Sequence, residues 1–107
     1  MPDPFAIQMN RLEQAVLFEP GALAPQVRQA AATAGEVPEV MRTYVQKIVK
    51  YAYKVTDEDV QMLLRAGYSE DQIFELTVSA ALGAGLFRLR KGLEALEEGD
   101  NDATAHR

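Results

Sequence analysis

The chain has 107 residues, one histidine, no cysteine and a formal net charge of −5. The length predicts a single domain, and the lack of cysteine excludes disulfides and favours a cytoplasmic protein. The negative charge argues against nucleic acid as a partner, because such binding neutralises phosphates with Lys and Arg. The apolar runs are shorter than the roughly 20 residues that a spanning helix needs, so we expect no membrane partner.

The N-terminal part of the sequence predicts two helices. Asp3 is a capping residue, Pro4 suits the first helical position, and apolar residues then recur at the helical spacing: Phe5, Met9, Leu12 and Val16. Residues 19–21 include Pro and Gly, which end this helix. A second helix begins near Pro25, carries a thin stripe of small apolar residues, and has a natural stop at Gly35.

Two further helices are expected in the middle of the chain. A 3.6-residue apolar pattern predicts the third helix over residues 38–53. Thr56 caps the fourth, which Gly67 ends, and its first turn holds three carboxylates: Asp57, Glu58 and Asp59. We interpret this acidic run as stabilising the helix start through the helix dipole. Adjacent residues on a helix point apart, so we expect no metal here, and no cofactor motif occurs.

The fifth helix is the most apolar part of the chain. Ser69 and Gln72 predict a capping box at its start, and it should continue to about Glu98. Residues 73–87 are apolar nearly all round, which predicts burial. Gly83 and Gly85 each cost about 1 kcal/mol inside a helix, so they predict close approach of another helix and favour a homo-oligomer. Residues 1–99 then form one helical domain. The polar residues 100–107, with the histidine, should be a disordered tail.

A family resemblance comes from residues 44–96. A helix runs into VTDEDV, LLRAGYSEDQI follows, and a long helix of small residues then leads to an Arg-containing turn (Arg88). This order resembles the AhpD-like, carboxymuconolactone decarboxylase superfamily. The resemblance implies an all-α bundle of about five helices with a long buried C-terminal helix, assembled as a dimer, trimer or hexamer. Peroxidase-type members use a Cys-x-x-Cys-x-x-x-His motif. This chain lacks both cysteines, so it is not a thiol peroxidase.

Three residues are candidates for a small-molecule site. Glu75 lies in the apolar run, where a desolvated carboxylate can act as an acid or base; the alternative is a partly exposed residue or one paired with a lysine. Arg88 can bind the carboxylate of a small ligand, or it pairs with an acidic residue nearby. Tyr51 would line a pocket between helices, or it packs with its hydroxyl at the rim of the core. The other aromatic residues that could line this pocket are Tyr44, Tyr53, Phe74 and Phe87.

Two functions remain open. The first is a non-redox, oligomeric binding or accessory protein that has the fold of the superfamily without its catalytic activity. The lack of cysteine and the position of the only histidine, His106, near the end of the chain favour it. The second is an enzyme that acts on a lactone or carboxylic acid by acid–base chemistry, as the decarboxylase-type members of the superfamily do.

Overall fold

The computed structural model describes residues 3–105 of the chain, with the side chains of residues 3–99. These residues form α1 (Pro4–Glu13), a π turn (Gln14–Phe18), α2 (Pro25–Ala32), α3 (Glu39–Tyr51), a 3₁₀ turn (Ala52–Lys54), α4 (Asp57–Arg65) and α5 (Glu70–Ala105). No strand occurs in this part of the chain. The predicted all-α fold, with about five helices and a long C-terminal helix, is confirmed.

The helix starts follow the capping signals in the sequence. Three predicted N-caps accept a backbone hydrogen bond from their own helix: Asp3, Thr56 and Ser69. The side chains of Asp59 and Gln72 accept hydrogen bonds in return from the backbone of Thr56 and Ser69. These reciprocal bonds satisfy donors that helix ends leave free. Gly67, with a φ of 101°, follows α4 in a conformation that suits glycine.

The end of α2 differs from the prediction in one respect. Ala34 takes the left-handed conformation, with a φ of 57°, and Gly35 follows it. The Gly35 N–H donates to the Ala30 carbonyl at 2.8 Å, as in a Schellman helix end. The helix therefore stops where expected, but an alanine occupies the position that favours glycine, at a cost of about 1 kcal/mol.

The core lies where α2, α3 and α4 pack against the N-terminal half of α5. Its buried residues include Leu23, Ala31, Met41, Tyr44, Val45, Leu63, Ile73, Leu76 and Ala80. A Cβ atom added at Gly83 would overlap the backbone of Ala32. The close helix approach predicted from Gly83 is therefore made by α2 of the same chain, and this glycine serves the packing of a single chain.

The opposite side of α5 is not covered by any of the described residues. Phe74, Ala81 and Gly85 are exposed, and so are all residues from 87 to 99. A Cβ atom added at Gly85 would meet no atom within 4 Å. Within one chain, then, burial covers one side of the segment 73–87 that the sequence predicted to be buried all round.

The shape of the chain reflects this exposure. The accessible surface is 7682 Å² and the radius of gyration is 17.0 Å. A compact monomer of this mass exposes about 5,900 Å², and a compact chain of this length has a radius of gyration of about 13 Å. The end of α5 beyond the bundle contributes to both differences.

The backbone of α5 continues past Glu98, where the sequence analysis ended it, to Ala105. The side chains of the predicted tail, residues 100–107, lie outside the described residues, as does His106 altogether. The disorder of the tail stays a prediction. Among the helices described, none combines the length and the apolar character that crossing a bilayer requires.

Candidate functional site

Glu75, the candidate acid or base, holds the loop that leads into α2. Its Oε2 accepts a hydrogen bond from the Ala22 N–H at 2.8 Å, and its Oε1 accepts one from the Leu23 N–H at 3.0 Å. A side chain at Gly21 would collide with the same carboxylate, which explains the glycine there. Gln72, one helical turn earlier, donates to the Ala22 carbonyl at 3.2 Å. Both carboxylate oxygens of Glu75 are therefore engaged by backbone donors.

Arg28 joins this cluster from α2 and is only 3% exposed. Its Nε donates to the Leu23 carbonyl at 3.0 Å, and its two terminal nitrogens donate to the carbonyls of Val16 and Glu19. The Nε also lies 3.7 Å from Oε1 of Glu75. A buried guanidinium is tolerated only when it is hydrogen-bonded and its charge is balanced. Arg28 meets both conditions within this chain.

The π turn belongs to the same arrangement. The widened turn at Gln14–Phe18 ends the first helical segment, and its last carbonyls need donors. Arg28 supplies donors to two carbonyls of this region, and the Gln29 side chain donates to the Leu17 carbonyl at 3.2 Å. We define the polar lock as Arg28, Gln29, Gln72 and Glu75 with the backbone groups that they bind. It fastens the N-terminal segment to α2 and α5.

Arg88 and Tyr51 lie at the far end of the bundle. The Arg88 side chain donates to the Val49 carbonyl at 2.6 Å, near the C-terminal end of α3, where carbonyls lack helical partners. Tyr51 is 48% exposed, and the Lys54 ammonium lies 4.6 Å from its ring centroid. These are surface interactions, and Arg88 caps a helix end.

The structure does not bring the three candidate residues together. Glu75 and Arg88 lie on the same helix at a separation of roughly 20 Å, from a rise of about 1.5 Å per residue. Tyr51 lies near Arg88 through the end of α3. Glu75, Tyr51 and Arg88 line none of four grooves found among the described residues.

The other aromatic residues considered for a pocket also separate. Tyr44 is buried, and its hydroxyl hydrogen-bonds the Thr77 hydroxyl at 2.7 Å. Tyr53, Phe74 and Phe87 are largely exposed. Tyr44 is thus a core residue with a satisfied hydroxyl, and the others do not enclose a cavity with it.

The acidic start of α4 contains one strong ion pair. The Lys47 ammonium lies 2.8 Å and 2.9 Å from the two carboxylate oxygens of Asp59. The hydrogen bond from Lys47, followed by that from the Thr56 backbone, holds the pKa of Asp59 below its ordinary value. Within residues 3–99, no three His, Cys, Asp or Glu side chains lie close enough together to hold a metal ion.

The residue pattern does not single out Arg28, which is the most buried charged residue described. The available signal was a single charged residue between apolar positions of a short, alanine-rich helix, PQVRQAAA. Comparisons of the chain with protein-family models, curated proteins and solved structures gave no significant match. The AhpD-like resemblance of residues 44–96 therefore stays a prediction.

Proposed function

We propose that this protein is a cysteine-less, AhpD-like protein that forms homo-oligomers and acts as a non-redox binding or accessory protein. The observation that carries the proposal is an uncovered stripe along α5. We define the outer stripe as the residues at successive spacings of three or four: Phe74, Val78, Ala81, Gly85, Leu89, Gly92 and Leu96.

The composition of the outer stripe suits helix-on-helix contact. Large apolar residues stand at its two ends, where Phe74 is 64% and Leu96 is 68% exposed. Between them lie Leu89 and the smaller residues Val78, Ala81, Gly85 and Gly92, and small side chains let two helix backbones approach closely. Gly85 has no packing role within the chain, although glycine costs about 1 kcal/mol inside a helix. A second copy packed on this side would give Gly85 a role.

The exposed area is large enough for such an interface. The chain exposes roughly 1,800 Å² more than a compact monomer of its mass. A standard interface buries about 800 Å² on each partner. One interface of that size would bury somewhat less than half of this excess, to which the end of α5 beyond the bundle also contributes.

The alternative function, an acid–base enzyme that acts on a lactone or carboxylic acid, has less support. It needs a proton-transferring group that faces a substrate. Both oxygens of Glu75 are bound by the backbone of Ala22 and Leu23, and Arg88 is bound to Val49. These contacts are those of residues that stabilise the fold, so the non-catalytic reading is the one we propose.

The molar mass in solution tests the proposal. Light scattering on the eluting protein should give a multiple of the 11.8 kDa chain mass. Ala81→Glu places a charge in the middle of the outer stripe, so it should shift the mass toward that of one chain and leave the helix content unchanged. Ala15→Glu, at an exposed alanine of the π turn, is the matched control and should keep the wild-type mass. A wild-type protein that stays a single chain at high micromolar concentration would overturn the proposal.

A further inference from the structure

A groove of 560 Å³ lies between α3 and the segment that connects it to α2. Residues 34–37 form one wall. Arg42, Gln46 and Lys50 form the other, since their spacing of four places them along one side of α3. Val45 and Val49 lie beside them and give the groove an apolar floor. The volume is within the range of small-molecule sites in proteins.

An apolar hollow of 270 Å³ adjoins the groove, since Ala34 and Val49 line both spaces. The hollow is otherwise lined by the end of α2 and by Gly83, Ala84 and Phe87 of α5, and no charged residue lines it. The two neighbouring spaces therefore differ, because charged residues line the groove and none lines the hollow.

The two cationic side chains of the groove, Arg42 and Lys50, are not paired with carboxylates among the described residues. Neither Arg42 nor Lys50 forms an ion pair with the side chains of residues 3–99, whereas Lys47 on the same helix is paired with Asp59. Glu36 is the one carboxylate that lines the groove. Two cations against one carboxylate make a cationic wall in a chain whose net charge is −5.

The geometry points to a binding site for a small amphipathic monocarboxylate, whose carboxylate lies between Arg42 and Lys50 and whose apolar body enters the hollow. A guanidinium fork and an ammonium both bind carboxylates through charge-assisted hydrogen bonds. Their backbones are about 12 Å apart along α3, a span that two long side chains can bridge around Gln46. This inference names the ligand class for the binding role proposed above and rests on it.

The site stays accessible in the proposed assembly. Phe87 borders the hollow and Gly85 belongs to the outer stripe, and these two residues point about 200° apart around the axis of α5. A second copy packed on the outer stripe would therefore leave the groove open. Ligand binding and assembly can be measured separately.

Octanoate is a suitable probe, and octanol is its neutral control with an apolar body of the same length. Calorimetric titration of the full chain should show saturable binding of octanoate and binding of octanol that is weaker by about tenfold or more. The double variant Arg42→Met/Lys50→Met should weaken octanoate binding by at least about tenfold. The matched variant Lys54→Met/Arg65→Met removes one ammonium and one guanidinium from exposed residues outside the groove and should bind as the wild type does.

Each outcome decides the inference. Equal binding of octanol and octanoate, equal losses in the two double variants, or no saturable binding would overturn it, provided that circular dichroism shows folded protein. Ala84→Leu narrows the hollow without removing charge and should weaken octanoate more than acetate. An oligomer that does not bind octanoate would refute this site and leave the assembly standing. A protein that binds octanoate as a single chain would refute the assembly and leave this site standing.

Discussion

Gly83 and Gly85 lie two residues apart on α5, yet the structure uses them in opposite ways. Gly83 faces α2, where even a methyl group would overlap the backbone of Ala32. Gly85 faces outward, and a methyl group there would meet nothing within 4 Å. Two residues correspond to about 200° around the helix, which separates an inner side that holds the fold together from an outer side that is left uncovered. A helical glycine therefore does not by itself indicate on which side of a helix another backbone packs closely.

The largest expected effect comes from placing the same side chain on each side. Gly83→Leu should lower the free energy of unfolding by about 3 kcal/mol or more, because α2 must move away from α5. The melting temperature should then fall by more than about 10 °C. Gly85→Leu should not destabilise a single chain, and its expected effect is a change in the molar mass of the assembly. Similar melting temperatures for the two variants would contradict the contrast.

Arg28→Met tests the polar part of the inner side. The substitution keeps much of the apolar stem but removes the donors to three carbonyls and the charge opposite Glu75. We expect a loss of about 3 kcal/mol in urea unfolding, because buried acceptors and a carboxylate lose their partners. Arg65→Met, at an exposed arginine near the end of α4, should change stability by less than about 0.5 kcal/mol. Equal effects would mean that the polar lock contributes little.

A smaller effect is expected at the end of α2, beside the contact with Gly83. Ala34→Gly should stabilise the protein by about 0.5 kcal/mol, because glycine adopts the positive φ of Ala34 without the strain of a Cβ atom. Gly67→Ala makes the reverse change at the end of α4 and should cost about 1 kcal/mol. Thermal unfolding should show a higher melting temperature for Ala34→Gly and a lower one for Gly67→Ala. A destabilised Ala34→Gly variant would show that α2 ends differently.

The ion pair between Lys47 of α3 and Asp59 of α4 lies away from both sides of α5, so it can be tested independently of them. The pKa of Asp59 is lowered in the folded state, so the unfolded chain binds the proton more readily. The contribution of Asp59 to the free energy of unfolding is thus fully present above the ordinary aspartate pKa of about 3.9. It is lost as the pH falls through the lower pKa that Asp59 has in the folded state. In a carboxylate NMR titration, Lys47→Met should raise the pKa of Asp59. No change would mean that Lys47 does not determine this pKa.

Helix starts and breaks could be predicted from the sequence because their causes are local. Thr56 with Asp59 and Ser69 with Gln72 bind within three residues of one another, so the residue pattern contains the whole interaction. The same holds for the breaks after α1 and α4. The exception is Gly35: it lies one residue beyond the left-handed position, which Ala34 occupies because the packed chain tolerates the strain.

The polar lock could not be predicted in the same way. Arg28 binds backbone carbonyls, which every residue carries, and the π turn determines which of them are free. Glu75 binds N–H groups more than 50 residues away. An acidic residue in an apolar run indicates a special environment, but the sequence does not say whether a substrate or a loop provides it. Here the loop does.

The long reach of Glu75 has a consequence for synthesis on the ribosome. Residues 14–32 emerge first, but the carboxylate that fixes their loop and the helix that covers α2 are made only after residue 70. An eight-residue helix is too short to persist alone in water. Residues 14–32 of a nascent chain should therefore remain open to proteases until the segment around Glu75 has left the ribosome, so termination before that point would leave a fragment that cells degrade.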